Sequence, residues 1–297
     1  MGHPTVAVKQ EPISRPTAQS LVASVQGLVS PPDICIKVTE LLQSPDCSIH
    51  DLGEVILRDP NLTARLLRLV NSAAVGLRTR VDTVSRAITV IGTRELYNMV
   101  LAISAVRAFR NLPSKLVSMD VFWRHSIYTG LLARLLGKHC GVLHPERLFI
   151  AGLLHDVGSL VLYRSLPEVA GELLLTAQGD EQVLCHAESD VLGFTHAELG
   201  GLLLATWHLP ETLCEATTWH HEPGKAQAAK LEAAVVHVAD VLANRSGIAG
   251  FCETTTPTAE IDPAAVALIG TLAVNDQDAI TGEAGALLAE TLAVLAA

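Results

Sequence analysis

The sequence predicts an all-α protein, a bundle of packed helices. Leu, Ala and Val abound while aromatic residues are only 4% of the chain, a mix that favours helix over an aromatic-rich β-sandwich. From about residue 20 onward, apolar residues recur at helical spacing, with Gly and Pro falling between the periodic stretches. No stretch reads convincingly as a strand, and no internal repeat stands out. With 297 residues, 49% of them apolar and 18% charged, the chain can bury a sizeable core and is not of disordered composition.

Residues 1–20 hold three prolines and little periodicity, and are expected to be a flexible tail. In "SPDCSIHDLGEVILRDPNLTARLLRLVNSAAVG", Ser48 and Asp51 have the spacing of a capping box, and Leu52, Val55 and Ile56 follow as a helical stripe. Asp59-Pro60 ends that helix and starts another, carrying Leu62, Leu66, Leu69 and Val70 and expected to run to Gly76. "VDTVSRAITVIGTRELYNMVLAISAVRAF" gives two more helices broken at Ile91-Gly92, and Pro113 closes the first half. A long amphipathic helix follows in "DVFWRHSIYTGLLARLLGKHC". "HPERLFIAGLLHDVGSLVLY" reads as one helix with His155 and Asp156 in its middle. Further helices are expected in "PEVAGELLLTAQ", "CHAESDVLG", "THAELGGLLLATWHL", "PETLCEATTWHH" and "KLEAAVVHVADVLANRS", with helices of the tail packed onto the body.

Charge and cysteine usage narrow the function classes. A net charge of −10 without a Lys/Arg cluster disfavours nonspecific nucleic-acid binding. The helical hairpin over 48–72 and a patch of Arg65, Arg68, Arg78 and Arg80 keep DNA binding as a third-ranked alternative. The six cysteines lie far apart without a Cys-x-x-Cys pair, which fits a reducing compartment and small apolar roles. No apolar run reaches the roughly 18–20 residues that cross a bilayer, and the N-terminal residues lack a basic-then-apolar leader pattern. A cytoplasmic protein without membrane insertion is expected.

Twelve histidines is a high count, and most lie between 125 and 237. His125, His155-Asp156, His196, His220-His221 and Asp240 each come from a different helix or helix end. Neutral imidazole and carboxylate form the donor set of Zn, Mn, Fe or Ni. A carboxylate can bridge two such ions, and water on them becomes a nucleophile near neutral pH. Each pair alone is a weak signal, since core histidines are commonly bonded to a carbonyl or carboxylate; the ordered set is stronger. His186, His208 and His237 fall outside the series as structural or surface residues, and His3, His50, His139 and His144 as surface residues.

The ordered motifs resemble the HDOD domain family, a bacterial signalling branch related to HD-type phosphohydrolases. The resemblance runs over about residues 25–245. It is carried by "SPPDICIKVTELLQSPDCSIHDLGEVILRDPNLTARLLRLVNSAAVG" and "VDTVSRAITVIGTRELYNMVLA", then by "WRHSIYTGLLARLLG", "AGLLHDVGSLVLY", "THAELGGLLLATWHLPETLCEATTWHHEP" and "VVHVADVLA". It implies two packed helical halves, at 21–115 and 116–250, the second HD-like, with a C-terminal extension at 251–297. It also implies one or two divalent metals (Fe, Mn, Zn, Ni or Mg). His125, His155, Asp156 and Asp240 would hold the first; Asp156 would bridge to a second, completed by His196, His220 and His221. The chain departs from active HD-GYP enzymes in carrying Ser159 where their lysine stands, and "HHEPGKAQ" without a Gly-Tyr-Pro loop; Lys225 is on a different element. The resemblance therefore implies a regulator that works through signalling protein partners or a nucleotide or second-messenger ligand, without hydrolysis. The alternative is a metal-dependent phosphohydrolase acting on a nucleotide or cyclic nucleotide.

Overall fold

The computed structural model describes residues 16–25, 33–44, 48–109, 116–248, 260–272 and 274–296, all helices and connections, with no strand among them. Of the segment expected as a tail, 1–15 lies outside the described residues, and the rest already begins α1 (Ala18–Val25). Pro113, Cys47, Cys252 and His3 also lie outside them. Cys35, Cys140, Cys185 and Cys214 are free thiols.

The first half contains α2 (Asp33–Gln43), α3 (Ile49–Leu57), α4 (Pro60–Val70), α5 (Val84–Ile91) and α6 (Thr93–Phe109). The capping box at Ser48 and Asp51 is formed. The Asp59 carboxylate caps α4 by accepting from the Asn61 and Leu62 N–H groups, with Pro60 in the first turn. Gly92 breaks α5 from α6 at φ 84°, a conformation that glycine adopts without strain. One boundary differs from expectation: α4 stops at Val70, not at Gly76. The Asn71 amide donates to the Leu67 and Val81 carbonyls, both at 2.7 Å, and accepts from the Val81 N–H at 2.8 Å. That side chain replaces the helical bonds and stitches the loop, so propensity through 71–75 is overridden.

The second half runs through α7 (Met119–His139), α8 (Glu146–Leu154), α9 (Val157–Ser165), α10 (Pro167–Ala177), α11 (Glu181–Leu192), α12 (His196–Thr206), α13 (Glu211–Thr218) and α14 (Lys230–Arg245). A 3-10 turn at Pro223–Lys225 precedes α14. The helix expected across 144–163 is two helices that meet at His155-Asp156. Glu146–Ser165 is the one segment among the described residues long and apolar enough to cross a membrane, yet that break falls inside it and most of it is buried in the bundle.

The tail forms α15 (Pro263–Ile269) and α16 (Val274–Leu295). α16 lies along α7 and reaches α4 and α6, so it contacts both halves. α1 comes from the start of the chain but packs on α9 and α12. The Arg65 guanidinium donates to the Val294 and Leu295 carbonyls, capping the end of α16, while Arg68, Arg78 and Arg80 are exposed. Leu66 is fully buried, whereas Leu67 and Ile91 pack only against the edge of the core.

Small residues set how closely the helices that carry His125, His155, Asp156 and His196 approach one another. At the α7–α8 crossing, a Cβ on Gly152 would lie 2.8 Å from the Gly130 Cα and the Thr129 carbonyl oxygen. At the α9–α12 crossing, a Cβ on Gly158 would strike the His196 carbonyl. These contacts bring His125 to His155, and His196 to Asp156.

Candidate metal centre

All seven residues singled out in the sequence meet in one place. His125 projects from the middle of α7 and Asp240 from the middle of α14, while His196 opens α12. His155 ends α8 and Asp156 sits at the N-terminus of α9 without capping it, so its carboxylate is free to face inward. His220 and His221 follow the end of α13 rather than lying on it. Six of the seven are buried, and His221 is half-buried.

The donors form two groups. In the first, His125 Nε2 lies 3.2 Å from Asp240 Oδ1 and 3.3 Å from His155 Nε2, and His155 Nε2 lies 3.4 Å from Asp156 Oδ2. In the second, His196 Nε2 is 3.0 Å from His221 Nε2 and 3.2 Å from Asp156 Oδ1, with His220 Nε2 3.8 Å from the same oxygen. Asp156 thus gives one oxygen to each group. An ion with bonds near 2.1 Å has donor–donor edges of about 3.0–3.5 Å; all of these spacings except the 3.8 Å to His220 lie in that range, so each group has room for an ion.

Hydrogen bonds behind the donors fix which nitrogen faces the centre. His155 Nδ1 bonds the Gly152 carbonyl and His220 Nδ1 the Thr217 carbonyl, both at 2.7 Å. A carbonyl only accepts, so Nδ1 carries the proton and the Nε2 lone pair is presented, as metal-bound histidines require. The Glu188 carboxylate does the same for His196 Nδ1 at 2.7 Å and also accepts from its backbone N–H. Two buried atoms at the centre, Asp156 Oδ1 and His220 Nε2, have no hydrogen-bond partner. Buried polar atoms are rarely left so, and a cation in the second group would satisfy both.

Electrostatics agree. Burial alone would push the Asp156 carboxyl up, yet His155 above all, with His196 and His220, holds it well below the usual carboxylate range. Asp240 is held down against burial by His125 and His155. Burial opposes charge on His155 and His196, but Asp156 raises the first and Glu188 raises the second well above its ordinary value. His220 is pushed down to about 3 by burial and then by His155. His221 is held well below its ordinary value by burial and then by His220. The carboxylates thus favour positive charge on His155 and His196, a role that a metal would take over.

Glu188 was not singled out in the sequence. Leu184, Glu188 and Leu192 share one buried face of α11, so a glutamate on an apolar stripe was the available signal. His237, set aside as structural or surface, is structural: buried, it bonds the His220 carbonyl at 2.8 Å and accepts from the Asp262 N–H. His50, His139, His144, His186 and His208 are exposed.

The centre opens through a cavity of about 20 Å³ between the start of α11 and α14, room for about one water. His221 and Asp240 lie on its inner side, and Asp180, Glu181, Asn244 and Glu260 line the rest with Gln182, His237 and Val241. No Lys or Arg is among these described lining residues.

A helical bundle with a buried His/Asp centre of this kind defines an HD-like class of protein. The HDOD domain family matches residues 28–223, about two thirds of the chain, and the chain belongs to that family. An HDOD domain protein of unknown function from Geobacter sulfurreducens superimposes with TM-score 0.70 at 22% identity, over 93% of this chain and 96% of that one. A candidate phosphohydrolase from Shewanella amazonensis SB2B gives TM-score 0.67 at 22% identity, over 92% and 96%. At these identities the likeness is one of fold. An uncharacterized protein of Treponema pallidum (strain Nichols) is 28% identical over 207 residues, 69% of this chain; that stretch spans 39% of the relative's length.

Proposed function

We propose that this HDOD protein is a signal-transduction regulator whose His/Asp centre binds one or two transition metals and that it works through a partner protein without hydrolysing a phosphate ester. The observation that carries this reading is the contrast between the centre and its mouth. The donor set is complete, but the opening is narrow and lined by Asp180, Glu181 and Glu260. A cation is drawn to such an opening and a nucleotide phosphate is repelled. Ser159, where active relatives carry lysine, is buried and supplies no charge. The imidazole-rich donor set suits Fe, Mn, Zn or Ni better than Mg, which prefers oxygen.

A bound divalent metal would supply Lewis acidity and an acidified water. The chain's own residues would do the rest: Asp156 shares its carboxylate between the groups, and Glu188, Gly152 and Thr217 fix the ring orientations. That sharing by Asp156 favours a second reading, a metal-dependent phosphohydrolase; the Shewanella relative is named as a candidate phosphohydrolase.

Elemental analysis of protein prepared without chelator, followed by phosphate release from nucleotide and cyclic dinucleotide substrates, separates the two. Bound metal without phosphate release, and a specific partner recovered with the wild type, supports the regulator. Release that Asp156→Ala abolishes supports the hydrolase, and release equal in both proteins rejects it.

A further inference from the structure

Glu181 at the mouth of the centre has a position that its place in the chain does not explain. It is the first residue of α11, where an acid ordinarily faces water and is stabilised by the helix N-terminus. Here the side chain is half-buried and turned inward. The Asn244 amide nitrogen donates to Glu181 Oε2 at 2.9 Å and to Asp240 Oδ1 at 3.0 Å, tying the two carboxylates together.

The Glu181 carboxylate lies within 4.8 Å of the donor atoms of His125 and Asp156, and within the same distance of those of His221 and Asp240. It therefore stands over both ligand groups, on the side that faces the opening. In the Asp156 carboxylate that lies within this reach, the buried Oδ1 lacks a hydrogen-bond partner. Carboxylates gathered this closely repel one another unless a cation lies among them.

We propose that Glu181 is a further ligand of this centre, closing the coordination position that faces the mouth, and that Asn244 positions it. The assignment rests on the metal-binding reading above and deepens it. A phosphate oxygen approaching from solvent would have to displace a carboxylate held by its own amide clamp. The protein would then keep its ions in a closed shell, and an anion would reach them only when the start of α11 moves.

The test uses the full chain loaded with cobalt(II), whose visible absorption reports coordination, and inorganic phosphate as the probe. Wild-type protein is expected to bind cobalt with a spectrum that phosphate leaves unchanged. Glu181→Gln keeps the side chain's size and is expected to bind cobalt about 10-fold more weakly, with altered absorption bands that phosphate shifts further. Asn244→Ala is expected to move the spectrum in the same direction by less. Matching far-UV circular dichroism of the metal-free proteins checks the fold. If Glu181→Gln matches the wild type in affinity, spectrum and phosphate response while Asp156→Ala loses cobalt, the Glu181 assignment is overturned and the metal centre stands. If the wild type takes up no cobalt, both fall.

Discussion

Gly158→Ala tests the packing that builds the centre without touching a ligand. Gly158 lies two residues after Asp156, where α9 crosses the start of α12. An added Cβ would strike the His196 carbonyl and lie 2.5 Å from the Gly200 nitrogen and 3.0 Å from its Cα. All of these are backbone atoms, so no rotamer change relieves them. Restoring ordinary contact, roughly 3.5 Å or more, requires the helices to part by about 1.5 Å. Overpacking between rigid backbones belongs at the upper end of its range, about 3 kcal/mol. The same movement carries His196 away from Asp156 Oδ1, from which its Nε2 now stands 3.2 Å, and so weakens the second ligand group before the first. Urea unfolding of the metal-free protein should show the lost stability, and elemental analysis a selective loss of metal at that group. Gly282→Ala is the control: nothing lies within 4 Å of its added Cβ on α16, so the helix should gain about 0.5–1 kcal/mol. A Gly158→Ala protein with wild-type midpoint and metal content would refute the argument.

Burial, opposed by Arg134, raises the Glu95 carboxyl from 4.5 to about 7. The folded state then holds a proton that the unfolded state has released, so stability falls as pH rises from about 4.5 to 7. Glu95→Gln should flatten that fall and raise stability at pH 8 by about 2 kcal/mol; equal pH slopes in thermal unfolding would contradict it. Leu66→Ala, fully buried, should cost about 2–4 kcal/mol, and Leu67→Ala at the core edge about 1 kcal/mol; equal costs in urea titrations would show that burial does not govern this helix. Glu188→Gln removes the charge behind His196 and should weaken metal binding about 10-fold, read by competition with a chromophoric chelator. Metal at 100 times its dissociation constant should stabilise the native protein by about 2.7 kcal/mol, and a scan unchanged by chelator would contradict bound metal.

Helix existence was legible in the sequence because it rests on local chemistry: the Ser48 box, the Asp59-Pro60 start and the Gly92 break act within a few residues. The break at His155-Asp156 was not, because nothing local forbids helix through "LLHDVG". There the chain gives up helical continuity, and that lets His155 end one helix and Asp156 begin the next, both facing the centre. The end of α4 is hidden from local pattern for a related reason, since the bonds of Asn71 to Val81 span ten residues and periodicity sees only one turn.

The candidate donors that meet in the fold were legible because imidazole and carboxylate are rare on apolar helices and appeared in order. Their supports were hidden, since glutamate and asparagine are ordinary on helix surfaces. Glu188 becomes informative once Leu184 and Leu192 fix its face inward, and Asn244 once Asp240 does so one turn earlier on α14. Residue type and order therefore identify what can bind a metal, whereas the face a residue shares decides what holds the ligands in place. At the mouth the same distinction governs chemistry. A centre with every donor present hydrolyses a phosphate ester only if an anion can approach it, and on the proposed reading the rim carboxylates of Asp180, Glu181 and Glu260 oppose that approach. Replacing Asp180 and Glu260 by their amides, with Glu181 kept, should therefore change phosphate access more than metal content, which the ligand set alone would not predict.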